Sequence, residues 1–422
     1  SGTTGNPKGV RLTHANITSN VNAVQSIFPM SESDRSLSFL PWAHSFGQTV
    51  ELHCGFSFGA SMAICSDVNR LLEFLPEVRP TLLFSVPRVF NRIYDKLNKR
   101  IANESGVKKF LMSRAIAVAL ERKALEGRGQ RSAWVDLQFG FLDKKVLSQI
   151  RGLLGGQLRY AFSGGAAISK EVATFIDALG ITVYEGYGLS ETSPIATANY
   201  PGSQRIGSVG KAIPGVEIII DTDAVAGAMG DQGEVLIKGP NIMQGYHNLD
   251  DKTAEVMRAD GAFRSGDLGR LDGDGYLFIT GRIKEQYKLE NGKYVVPSPL
   301  EEQLKLSGFI NQVMVFGDNK PCNVAIVVPD VEALTDWCKA QGVDGDLAAW
   351  LGDDRVRGLY RAELDRYQKD VFKGFERIKD FRLIAEEFST DNDMLTPTLK
   401  LKRRNVIAAW QGLIDDIYAG LS

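Results

Sequence analysis

Ser1-Gly2-Thr3-Thr4-Gly5-Asn6-Pro7-Lys8-Gly9 concentrates three glycines, three hydroxyls and one lysine in nine residues. Glycines let successive backbone N–H groups converge on a phosphate, hydroxyls add donors, and a lysine neutralises charge. The order is not that of the Walker loop, because Lys8 is followed by Gly9 rather than by Ser or Thr. A solvated turn is the plain alternative for a bare cluster of this kind. Glycines recur beside polar groups at Gly164–Gly165, Gly186–Gly188 and Gly266–Gly269. No Ser/His/Asp set stands out as a covalent nucleophile. His14, His53 and His247 show no metal-ligand spacing.

The elements that position these loops read as an α/β fold. Leu71, Leu72, Phe74, Leu75 and Val78 share one helical face, with Asp67 available as an N-cap. Thr81–Val86 reads as a buried strand, and Pro87 suits the first turn of a helix carrying Val89, Ile93, Leu97 and Ile101. A basic helical stretch from about Lys108 to Arg151 is expected to hold its charges on a solvated face. Leu158–Phe162, a glycine turn, a helix with Val172, Phe175, Ile176 and Leu179, and then Ile181–Glu185 predict a parallel sheet covered by helices. Ligands in such folds sit at the strand ends, where the glycine loops fall. After Pro194 come shorter strands, Val216–Asp221, Glu234–Lys238 and Tyr276–Thr280, which predict an antiparallel β subdomain over about 195–283.

Composition narrows the partners. Lys plus Arg is 49 against 51 Asp plus Glu, a net charge of -2, so nothing global favours nucleic acid or an anionic membrane. Cys54, Cys65, Cys322 and Cys338 are far apart, which supports neither a disulfide scaffold nor a zinc site and points to a reducing, cytoplasmic setting. No apolar run approaches the roughly 18 residues of a membrane span.

Set in order, the loops resemble the adenylate-forming superfamily of acyl-CoA synthetases, adenylation domains and firefly-type luciferases. Ser1–Gly9 is similar to its phosphate signature, and Ser163-Gly164-Gly165-Ala166 to its adenine-side loop. Tyr184-Glu185-Gly186-Tyr187-Gly188-Leu189-Ser190-Glu191-Thr192 resembles its Y-G-x-[ST]-E segment, and Phe263-Arg264-Ser265-Gly266-Asp267 its ribose motif. Gly281-Arg282-Ile283-Lys284-Glu285 resembles the hinge, and Pro397-Thr398-Leu399-Lys400-Leu401-Lys402-Arg403-Arg404 the catalytic-lysine segment. Arg79–Phe90, the long helical stretch before Leu158, and Glu290–Pro297 resemble the long-chain fatty-acid–CoA ligase branch.

The resemblance implies that a carboxylate attacks the α-phosphate of ATP to give acyl-AMP and pyrophosphate, after which CoA displaces AMP. It implies Mg²⁺ on Glu191, with Thr4 and Ser190 donating hydroxyl hydrogen bonds. Ser1, Gly2, Thr3, Gly5 and Lys8 would cradle phosphates. Gly164, Gly165, Ala166, Tyr184, Glu185, Gly186 and Tyr187 would form the nucleotide site, and Asp267 with Arg282 would hold the ribose. Lys400 would bridge carboxylate and α-phosphate, and Gly292 would line the pantetheine tunnel. His44, in Leu40-Pro41-Trp42-Ala43-His44-Ser45-Phe46-Gly47, is a substrate-gating candidate set against a simply packed histidine. Lys402–Arg404 is either a solvated run or a contact for the CoA phosphates.

Expected domains are 1–283, with parallel-type sheets, packed helices and the β subdomain, and a smaller mobile α+β domain over 284–422 hinged at Lys284. Family members carry a segment before the phosphate loop, so 422 residues is expected to be a fragment's length. Expected partners are fatty acid, ATP and CoA, with peripheral membrane contact open because no basic amphipathic anchor stands out. Three readings compete: an acyl-AMP ligase loading a carrier protein, a luciferase-like oxygenase, and a non-catalytic nucleotide-binding fragment.

Overall fold

Thr13 opens the first long helix with a reciprocal cap: its hydroxyl accepts from Asn16 N–H (3.1 Å), and Asn16 Oδ1 accepts from Thr13 N–H (2.8 Å). The computed structural model describes residues 8–224, 231–396 and 400–421. A short strand β1 (Val10–Arg11) precedes that helix, α1 (His14–Ile27).

Seven strands form one mixed sheet: β2 (Arg35–Ser38), β3 (Ser61–Ile64), β4 (Leu82–Ser85), β5 (Tyr160–Ser163), β6 (Val183–Gly188), β7 (Ile195–Ala198) and β8 (Lys211–Ala212). Their order is β3-β2-β4-β5-β6-β7-β8, with β2 to β6 parallel and the last two antiparallel. The antiparallel stretch expected over 195–283 is therefore divided, since residues 195–212 extend the large sheet.

The connecting helices are α2 (Cys54–Phe58), α3 (Leu71–Val78), α4 (Pro87–Asn103), α5 (Gly106–Gly127), α6 (Ala133–Leu142), α7 (Ser148–Gly152) and α8 (Lys170–Ala178). Asp67 does not cap α3. Its carbonyl accepts from Arg70 N–H (3.0 Å) in a 3₁₀ turn, and the helix begins only at Leu71. Side-chain alternation explains the continuous apolar run at β4. Leu83, Ala161 and Val183 face the core under α4, α5 and α8, whereas Leu82, Phe84, Phe162 and Tyr184 face α1 and the loop after β2.

A four-stranded antiparallel sheet follows, ordered β13-β12-β10-β9. Its strands are β9 (Glu217–Asp221), β10 (Gly233–Lys238), β12 (Phe263–Leu271) and β13 (Leu277–Arg282). Between them β11 (Gly245–Tyr246) pairs back with β1, and α9 spans Asp250–Val256.

The C-terminal region begins with the hairpin β14 (Tyr287–Lys288) and β15 (Tyr294–Val295), then α10 (Pro297–Leu304). Its three-stranded sheet is β16 (Ile310–Phe316), β17 (Asn323–Pro329) and β18 (Ile378–Leu383). Helices α11 (Val331–Gln341), α12 (Leu347–Leu351) and α13 (Asp354–Gln368) cover one face, and α14 (Arg403–Ala419) the other.

Arg403 opens α14 and is neither solvated nor a surface phosphate ligand. Its guanidinium forms two bonds to Glu301 (2.6 and 2.7 Å) and one to Val315 C=O (2.9 Å). Glu301 also accepts from Val315 N–H (2.7 Å), so one carboxylate joins α10, β16 and α14. Lys402 pairs with Asp393, and Arg404 is exposed. Removing one partner of such a pair strands the other charge. Arg403→Met is therefore expected to cost about 3–5 kcal/mol in urea denaturation. Adding Glu301→Leu should recover part of that loss, and additive costs would contradict the pairing.

Candidate active site

Pairing of β1 with β11, Val10 opposite Tyr246, delivers Lys8 to the site. Gly9 C=O accepts from His247 N–H (2.8 Å), and Lys8 Nζ lies 4.3 Å above the Tyr246 ring. The Tyr246 hydroxyl donates to Glu191 Oε1 (2.9 Å). Asn16 supports this arrangement from α1, donating to Pro240 and Ile242 carbonyls (2.7 and 2.9 Å). Ser1, Gly2, Thr3, Thr4 and Gly5 lie outside the described residues.

Glu191 sits in a 3₁₀ turn, Ser190–Thr192, directly after β6. Gly188 permits the approach, because a Cβ there would fall 1.7 Å from Pro194 C=O. Glu191 is buried, and its Oε2 has no hydrogen-bond partner among the described residues. An unpaired buried carboxylate oxygen beside a cavity suits a hard divalent cation whose other ligands are phosphate oxygens and water. Among the described residues no cluster of three or more acidic, His or Cys side chains forms a protein cage.

On the neighbouring wall, Asp267 on β12 stands opposite Arg282 on β13. Arg282 Nε is 2.9 Å from Oδ1, and the Tyr187 hydroxyl donates to Oδ2 (2.7 Å). Burial raises the Asp267 pKa above its ordinary value, while Arg282 and Tyr187 pull it back. Tyr187 and Arg282, rather than Asp267 itself, line the cavity. Lys284 follows in a short turn, Ile283–Glu285, and also lines it.

The final polar wall comes from the C-terminal region. Leu395 and Leu401 form a bridge, Thr396 N–H donates to Lys400 C=O (2.8 Å), and Lys400 N–H donates to Thr396 Oγ1 (3.0 Å). Pro397, Thr398 and Leu399 lie outside the described residues. Burial, then the Arg282 charge, lowers the Lys400 pKa, against Asp267, Glu285 and Glu191. Lys400 in turn adds to burial in lowering the His44 pKa. His44 Nδ1 accepts from Phe46 N–H (3.3 Å), which leaves the proton of the neutral ring on Nε2.

These residues surround one cavity of about 1260 Å³, larger than the roughly 300–1,000 Å³ typical of a single-ligand site. Lys8, Ser190, Glu191, Arg282 and Lys400 make its polar end. Val24, Ile27, Phe28, Phe46, Val50 and Phe162 make an apolar arm. Gly164, Gly165, Tyr184, Glu185 and Gly186 lie on the wall as well. Burial pushes Glu185 up to about 8 although it accepts from Ile168 N–H (3.2 Å). Ala166 is not on the wall. Gly292 is not either: it occupies the turn between β14 and β15 at φ +81°, a conformation that favours glycine on its own account.

Tyr246, Thr396 and the apolar arm escaped sequence reasoning. Tyr246 faces Glu191 only through a pairing between residues 10 and 246, for which no local spacing exists. Glu51 escaped too. It lies in a π-helical segment, Phe46–His53, that also supplies Phe46 and Val50 to the apolar arm. Ser38 Oγ donates to Glu51 Oε2 (2.8 Å), and Oε1 has no partner among the described residues. Burial pushes Glu51 up from 4.5 to about 7. Between those values the folded chain keeps a proton that the unfolded chain has lost, so this group lowers stability as pH rises. The melting-temperature advantage of Glu51→Gln over wild type should grow from pH 4.5 to about 7 and then level off. A pH-independent difference would refute the assignment.

The family described as AMP-binding enzyme matches residues 1–247, and that described as AMP-binding enzyme C-terminal domain matches residues 284–344. A long-chain-fatty-acid–CoA ligase of Mycobacterium tuberculosis is 34% identical over 99% of this chain and 68% of its own length. Human long-chain-fatty-acid–CoA ligase 1 is 35% identical over 99% of this chain and 60% of its own. Among solved structures, the adenylation domain of a Mycobacterium chelonae carboxylate reductase superposes with a TM-score of 0.76 at 21% identity. That match covers 99% of this chain and 59% of that one.

Proposed function

The chain belongs to the AMP-binding enzyme family, and from that premise we propose that it activates a long-chain fatty acid with ATP and passes the acyl group to CoA. The observation that carries this reading is Lys400, on the wall of the same cavity as Lys8, Glu191 and the apolar side chains, where its charge acts on His44 and meets that of Arg282. The identity to long-chain-fatty-acid–CoA ligases supports the acid class.

In the first step a carboxylate oxygen bonds to the α-phosphorus and the bond to pyrophosphate breaks. Two anions must meet, so the chain's task is positioning and charge neutralisation. Lys8 and Arg282 offset phosphate charge, and Lys400 meets the carboxylate where it reacts. Glu191 would hold Mg²⁺, which supplies further neutralisation when bound, and Thr4 and Ser190 would donate hydroxyl hydrogen bonds. The apolar arm takes the acyl chain, and His44 flanks its entrance as a neutral donor rather than a proton carrier. Glu185 and Tyr184 border the base, and Arg282, held from behind by Asp267, receives the ribose. In the second step the CoA sulfur bonds to the acyl carbon, and the bond to AMP breaks.

Lys400 and an incoming thiol compete for the same space. We therefore place a hinge at Lys284, where the second family match begins, between domains 1–283 and 284–422. Rotation there would withdraw Lys400 and carry the Gly292 turn toward the thiol path. We assign the enzyme to the cytoplasm with peripheral membrane contact, because its acid partitions into bilayers. No helix among the described residues is long and apolar enough to cross one.

AMP release from ATP with palmitate, with and without CoA, tests the whole reading: it should require the acid and accelerate with CoA. Lys400→Ala should lower kcat for adenylate formation by about 10²–10³-fold, as for loss of one transition-state donor. It should leave acyl-AMP plus CoA turnover within severalfold of wild type. Normal adenylate formation by this variant would overturn the role of Lys400.

A further inference from the structure

We propose that the outer face of α6, continued by the start of α5, docks on an anionic lipid surface. This inference rests on the reading above, which gives the enzyme a lipid substrate. The sequence of α6, Ala133-Trp134-Val135-Asp136-Leu137-Gln138-Phe139-Gly140-Phe141-Leu142, is apolar on both sides. A helix apolar all round belongs in a core or at a lipid interface. Val135 and Leu142 are buried on the inner side, whereas Trp134, Leu137 and Phe141 are 68%, 68% and 62% exposed. Their spacings of three and four place them on one face.

The neighbouring helix extends that face. Arg114 donates to Gln138 (2.7 Å) and Arg122 to Asp136 (2.9 Å), so α5 and α6 run antiparallel. Phe110, one turn before Arg114, is thus level with Phe141, and it is 66% exposed. Large exposed apolar side chains gathered on one face mark a docking surface.

Charge decides the occupant. Residues 106–145 carry nine Lys and Arg against four Asp and Glu, in a chain whose net charge is -2. Both acidic residues of the α6 stretch are paired, Asp136 with Arg122 and Asp143 with Arg151 through two bonds (2.6 and 3.0 Å). Arg131 just before α6, and Lys144 and Lys145 just after it, have no acidic partner among the described residues. Tryptophan, phenylalanine and leucine between cations at both ends are the composition of an interfacial helix that binds anionic headgroups.

The test is co-sedimentation of the full chain, without ATP or acid, with vesicles of phosphatidylcholine alone or of equimolar phosphatidylcholine and phosphatidylglycerol. Binding is expected to the mixed vesicles. Trp134→Ser with Leu137→Ser and Phe141→Ser should weaken it about tenfold or more, and Lys144→Glu with Lys145→Glu should erase the preference for anionic lipid. Trp134→Phe should retain binding but lose the blue shift of emission on adding vesicles. These side chains are exposed, so melting temperatures should match wild type. No binding by wild type, or unchanged binding by the triple variant, would overturn the proposal. So would a wild-type dimer that the triple variant dissolves, since a second copy would then cover the face. Palmitate adenylation, measured in parallel without vesicles, reports separately on the proposed reaction: vesicle binding without adenylation refutes only that reaction, and the reverse refutes only this surface.

Discussion

The repulsion between Arg282 and Lys400 in one buried wall of the cavity is the constraint around which the rest is arranged. Lys8, Arg282 and Lys400 arrive from a loop, a strand and a C-terminal hairpin. Placing like charges together away from bulk water is costly unless opposite charges lie close. Asp267, Glu285 and Glu191 supply those charges, and their influence on Lys400 opposes the burial and the Arg282 charge that lower its pKa. Such an array is poised for a polyanion.

Each member of that array is held by a contact distant in sequence. The β1–β11 pair sets Lys8 above Tyr246, and Tyr246 orients Glu191. The β12–β13 register sets Arg282 against Asp267. The Glu301–Arg403 pair anchors the start of α14, three residues after Lys400. The C-terminal region also meets the large sheet's helices directly, since Leu306 packs into their core with Tyr367 beside it. Position in the cavity is therefore a property of two regions packed together, which is why a change of their packing would change the chemistry available.

The large sheet separates two tasks by strand alternation. One side of β4, β5 and β6 builds a helix-covered core, and the other presents Phe84, Phe162 and Tyr184 toward α1. Phe28 meets Phe162 and Tyr184 edge to face, with centroids 4.9 and 5.4 Å apart. Rigid aromatic packing at the foot of the cavity lets the π-helical segment above it shape the apolar arm.

Local sequence carried much of this site, because glycine loops and the residues beside them obey short-range backbone rules. The strand–turn–helix–strand at β5, α8 and β6 was legible for that reason, whereas Glu191, Asp267, Arg282 and Lys400 were singled out by their resemblance to family motifs, and the structure puts Glu191, Arg282 and Lys400 on one cavity wall with Asp267 behind Arg282. Tertiary structure alone decided that β7 and β8 join the large sheet, that Arg403 is a buried anchor, and that Asp67 ends in a 3₁₀ turn. It alone brought Tyr246 to Glu191 and left Trp134, Leu137 and Phe141 facing outward from a helix whose composition suits a core. Spacing along the chain encodes which backbone turns are allowed. Which side chains face one another across a sheet, and which face is left uncovered, depends on contacts between residues hundreds of positions apart.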